Sequence, residues 1–152
     1  ITNIGGTSAD MGNAVFVAAM LELPTMAFFT KMSEKINCGT LIKFSILMFC
    51  VKHALTYFAT NMIMIYLAQV CQMFAYALFV PASVYYVNEK IAVADRVKGQ
   101  SLVTTSMTLS GVFANFTGGI MLDALGVGHV LLAGVILSIV GAVIVILTTE
   151  KV

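Results

Sequence analysis

Apolar residues run along this chain in five long blocks, at 12–30, 41–60, 62–87, 100–122 and 129–148. The segments between them are short. KMSEKINCGT at 31–40 and NEKIAVADRVKG at 88–99 carry the charge, Asn and Gly of helix ends and turns. The breaks at 60–61 and 123–128 are tighter still. A helix needs about 20 mostly apolar residues to cross a hydrocarbon core about 30 Å thick. The pattern therefore predicts an all-α integral membrane protein with five transmembrane helices. Short links set successive helices side by side and antiparallel, which gives one bundle rather than two domains.

Polar residues inside the blocks recur at helical spacing, which collects them on single faces. The second block lines up Ser45, Lys52 and Thr56, and the third lines up Gln69, Gln72, Tyr76 and Ser83. The fourth lines up Ser101, Thr104, Thr108, Gly111 and Asn115. In the first block Glu22 is the one strong polar point, and the fifth is apolar apart from Ser138. Four helices are thus expected to turn a polar stripe to a shared interior while the fifth faces lipid. Glu22 lies nine residues before Lys31, and Lys52 lies nine residues after Lys43. At about 1.5 Å per residue both sit about 13 Å deep, near the midplane, and Gln72 reaches a similar depth from Asn61. A charge there costs at least about 2.5–3.5 kcal/mol unless it faces protein or water, so it marks a functional position. Midplane polar groups are where transporters place substrate and coupling-ion sites.

Pro24 and Pro81 fall inside the first and third helices, where a lost backbone hydrogen bond favours a kink. Small residues at 111, 114, 118 and 119 predict close helix packing. His53 points away from Lys52 and is expected to make a helix contact rather than relay a proton.

Composition narrows the class further. The chain is 60% hydrophobic and 10% charged, with mean hydropathy +1.00. A soluble domain is about 25% charged and cannot cover so much apolar surface. The net charge of +1 offers no basic patch for nucleic acid. Cys38, Cys50 and Cys71 lack metal-ligand spacing and read as small core residues. No zinc motif, nucleophile elbow or phosphate loop is present, so neither an enzyme nor a metal or other cofactor is expected.

Of the eight basic residues, Lys31, Lys35, Lys43, Lys90, Arg96, Lys98 and Lys151 fall on one side of the predicted bundle, and Lys52 lies within it. Segments on the other side hold Asp10 and Asp123 and no Lys or Arg. The positive-inside rule makes the Lys-bearing side cytoplasmic, with the N-terminal end outside the inner (plasma) membrane. Because the sequence opens at Ile1, it is expected to be a fragment lacking an N-terminal part.

The order of these residues resembles the C-terminal half of the major facilitator superfamily, in particular its lactose-permease-like branch of oligosaccharide:proton symporters. The similar stretches are MGNAVFVAAMLELP at 11–24, FAT at 58–60, QMF at 72–74, and the GG, LD and G of 118–126. The resemblance implies helices eight to twelve of twelve, most of a six-helix bundle, with the N-terminal half as a missing partner. It places Glu22 at the family's helix-eight glutamate and Lys52 at the helix-nine arginine. Gln72 falls at the helix-ten histidine and Ala75 at the proton-binding glutamate. The last two are departures, and without a carboxylate at 75 coupling uses Glu22, an acid from the missing half or another ion, or is absent.

The expected function is secondary transport of a small polar, sugar-like solute by alternating access, with or without proton coupling. Glu22 is read as a proton- or substrate-linked carboxylate and Lys52 as its charge partner. Glu22, Lys52, Gln69, Gln72, Tyr76 and Asn115 are the candidate substrate and ion pathway. The rival from another class is a multi-span subunit that does not transport and uses its polar stripes only for assembly.

Overall fold

A computed structural model describes residues 4–150 as helices joined by short turns. They are α1 (Ser8–Ser33), α2 (Cys38–Tyr57), α3 (Met62–Lys90), α4 (Arg96–Leu125) and α5 (Val127–Thr148), with a 3₁₀ turn at Val93–Asp95. Lys151 lies outside the described residues.

Most of the helices outrun their apolar blocks, because polar residues at the membrane boundary keep helical geometry until a cap stops them. Thr7 starts α1 through a reciprocal capping box with Asp10. Asn37 and Asn61 start α2 and α3 by accepting from the Thr40 and Met64 backbone N–H groups. α2 begins at Cys38 and ends at Tyr57, three residues short of the apolar block. The α4–α5 turn closes on Gly126 alone, at φ 81°, a backbone geometry that glycine adopts without steric cost.

Among the described residues α1, α2, α3 and α5 are long and apolar enough to cross a membrane. The fifth expected span, α4, has the length at 30 residues. Its Ser and Thr at 101, 104–106, 108 and 110 dilute its apolarity.

α3 is the centre of the bundle, with α1 and α2 packed on it and α5 packed on α2. Ala68, Ala75, Ala77 and Ala82 of α3 are fully buried, and their small side chains let the flanking backbones approach. At the Lys-rich end a core of Phe29, Cys38, Leu41, Ile42, Leu78 and Ala82 locks α1, α2 and α3 together. The Phe29 ring meets Tyr85 edge-on at 5.3 Å. Lys90 pairs with Glu150, whose backbone N–H also donates to the Tyr86 hydroxyl, so the chain after α5 is tied to the end of α3.

α4 stands apart and buries only Gly99 among its described residues. Gly111, Gly118 and Gly119 have no neighbour that a Cβ would touch, so the close approach expected there occurs instead at Gly99. A Cβ at 99 would lie 2.4 Å from Ile91 Cδ1 and 2.9 Å from Val87 Cγ1. Val87 is β-branched and cannot swing aside freely. Gly99→Val is therefore expected to destabilise the protein by about 1–3 kcal/mol, read as a lower thermal midpoint in detergent. An unchanged midpoint would show that α3 and α4 do not depend on this contact.

Candidate functional site

Three helices each bring one polar side chain to a common point. Gln72, on the central α3, stands between Glu22 of α1 and Lys52 of α2. Lys52 Nζ donates to Gln72 Oε1 at 2.6 Å, and Gln72 Nε2 donates to Glu22 Oε1 at 3.2 Å. All three are half-buried. The amide suits this place because it accepts at one end and donates at the other. It therefore meets an ammonium and a carboxylate at once. Glu22 and Lys52 make no direct ion pair: among the described residues the ion pairs are Lys90–Glu150 and Lys98–Asp95. The carboxylate and the ammonium are bridged by an amide that itself neither gains nor loses a proton.

The backbone around the triad is closed locally. The Thr56 hydroxyl donates to the Lys52 carbonyl at 2.9 Å, and the Thr25 hydroxyl donates to the Leu21 carbonyl beside Glu22. The Thr56 bond engages a hydroxyl of the polar stripe expected on the second helix. Ser45 is fully buried with its hydroxyl donating to the Ile42 carbonyl, away from the triad. Pro24 and Pro81 both lie within continuous helices.

The other candidate residues are distributed around the bundle. Gln69 lines a cavity of about 350 Å³ with Thr56, Tyr57, Ile65 and Leu131, towards the Asn61 end. Tyr76 lines a wider groove of about 850 Å³ between α2, α3 and α4 with Phe49, His53 and Phe79. Asn115 is exposed on α4 and borders neither space. The face of α4 that closes the groove carries Leu102, Ser106, Met107 and Ser110; of the expected stripe it includes Gly111 but not Ser101, Thr104, Thr108 or Asn115. Ser106 and Ser110 were thus missed from sequence. On a helix with Ser or Thr at most turns, several faces qualify by spacing, and only packing chooses among them.

His53 binds the Phe49 carbonyl through Nδ1 at 2.8 Å and stacks on the Phe49 ring. Gly134 of α5 is close enough that a Cβ there would meet the imidazole at 3.5 Å. His53 thus fills the seam of α2 and α5. α5 exposes Leu137, Ile139, Val140, Ile144 and Leu147 along its length, an apolar surface suited to lipid. Among the described residues no three His, Cys, Asp or Glu side chains gather in a way that would hold a metal ion.

No curated protein and no solved structure matches this sequence. The family model of the Major Facilitator Superfamily matches residues 1–152. The match spans the whole chain, and it agrees with a helical bundle in which four helices can cross a membrane. The chain belongs to the Major Facilitator Superfamily, whose members are multi-pass membrane transporters.

Proposed function

We propose that the chain moves a small polar solute, a sugar or another hydroxyl-rich molecule, by alternating access, with Glu22 as a proton-linked carboxylate. The observation that carries this reading is the Glu22–Gln72–Lys52 chain, which joins three helices through one central amide. A carboxylate and an ammonium held apart by an amide are poised to exchange partners. A solute hydroxyl can replace either end of Gln72, and a proton on Glu22 changes what that end prefers. Helices that rock against one another would make and break these bonds during the cycle.

The resemblance to the lactose-permease-like branch supports a sugar and a symport mechanism. In this reading the helices form most of a C-terminal bundle, and an N-terminal half of the same protein supplies the facing wall. The Lys-rich end lies in the cytoplasm and the other end outside the inner membrane, as charge asymmetry predicts.

Glu22→Gln tests the coupling, because it keeps the size of the side chain and removes its proton chemistry. Uptake driven by a pH gradient is expected to fall at least tenfold in vesicles, while solute exchange without a gradient persists. Gradient-driven accumulation at the wild-type level in E22Q would overturn the role given to Glu22.

A further inference from the structure

We propose that the end of α3 and the start of α4 form a binding site for a phosphate-bearing anion, a lipid headgroup or free phosphate, centred on Arg96. A groove of about 490 Å³ opens here, lined by Asn88, Arg96, Val97, Gln100, Ser101 and Thr104 among others, with no carboxylate on its walls. The Arg96 Nε is buried and meets no acceptor. Among the described residues no carboxylate lies within ion-pair distance of this guanidinium, whereas the neighbouring Lys90 and Lys98 are held by Glu150 and Asp95. A buried donor of a charged group is costly to leave unmade, so it points to a partner that is not part of the chain.

The rest of the groove favours the same chemistry. Asp95 stands at the N-cap of α4 but makes no side-chain cap bond, because its carboxylate accepts from Lys98 at 2.7 Å. The start of α4 thus has no side-chain cap, at the helix end where the peptide dipoles favour negative charge. Gln100 donates to the Val84 carbonyl at 2.9 Å and to Asn88 Oδ1 at 3.4 Å. Asn88 is therefore engaged as an acceptor, and its own N–H₂ is left to donate. The guanidinium fork matches phosphate oxygens two at a time. Lys31, Lys35 and Lys43 share this end of the bundle and add to its attraction for anions.

The test is titration of the purified full-length protein in a neutral detergent, with binding followed by calorimetry. Three probes are used: dioctanoyl phosphatidic acid, dioctanoylglycerol without the phosphate, and inorganic phosphate. Phosphatidic acid is expected to bind the wild type, with affinity at least tenfold lower in Arg96→Gln and at least threefold lower in Arg96→Lys, which keeps the charge but loses the fork. Binding of phosphatidic acid without binding of inorganic phosphate assigns the site to a lipid headgroup; comparable binding of inorganic phosphate assigns it to the free anion. If R96Q does not fold, R96K alone decides. Wild-type affinity in the folded variants would overturn the proposal. So would phosphatidic acid binding no better than dioctanoylglycerol, with inorganic phosphate inert.

Discussion

Gln72→Leu is expected to lower solute uptake about a hundredfold while leaving the protein in the membrane. The substitution removes both bonds of the triad together and keeps a side chain of similar bulk. Lys52 loses the acceptor it meets at 2.6 Å, and Glu22 loses the donor it meets at 3.2 Å. Hydrogen bonds to charged groups contribute about 1.5–3 kcal/mol each, and about 1.4 kcal/mol corresponds to tenfold in rate or equilibrium. Losing one such bond gives about a tenfold to hundredfold fall, so the loss of both accounts for the expected effect. Gln72→His is the informative companion, because neutral imidazole also donates at one nitrogen and accepts at the other. It should recover part of the activity and make uptake pH-dependent, since the bridge can now take a proton. Initial rates in vesicles, normalised to the amount of inserted protein, decide the matter. Wild-type rates in Q72L would remove the triad from the mechanism.

A second large effect is expected at Ala75, where the resemblance puts the proton-binding glutamate of the lactose-permease-like branch. In this chain Ala75 is 0% exposed, packed inside the bundle at the centre of α3. Ala75→Glu would force four more heavy atoms, a methylene and a carboxyl group, into a space sized for a methyl. Overpacking alone costs about 1–3 kcal/mol. Burying the carboxylate costs several kcal/mol more unless a cation reaches it. A75E should therefore fail to give a folded protein on size-exclusion chromatography in detergent, whereas Ala75→Ser should behave almost as wild type. A folded A75E with stronger proton coupling would show that the bundle still has room for the acid, and that the departure at 75 is only chemical. The expected failure would mean that packing has closed the position, and that any coupling runs through Glu22, another acid or another ion.

Both predictions concern positions that the sequence alone treats very differently. Gln72 was legible as a site, because a polar residue repeats at helical spacing in an apolar helix and lies at the depth of Glu22 and Lys52. Its role was not legible. Glu22 and Lys52 read as two charges at one depth, and no spacing rule can insert a third side chain between residues 30 apart in sequence. Ala75 looked like a mere absence of a carboxylate until its burial gave the reason a carboxylate does not fit.

The helices, their antiparallel order and the class of the protein were fixed by local quantities: run length, charge placement, and the Asn and Gly residues at the breaks. Those act within a few residues, so one dimension contains them. α4 marks the limit, since its Ser and Thr residues spread over more than one face and leave its orientation undetermined. Tertiary packing turned Ser106 and Ser110 to the groove, left Asn115 on the surface, and put the close contact at Gly99 instead of the glycines near 118. Those outcomes depend on which helix lies opposite. Once a chain is apolar nearly everywhere, hydrophobicity no longer distinguishes one face from another, and only the fit of neighbouring helices decides.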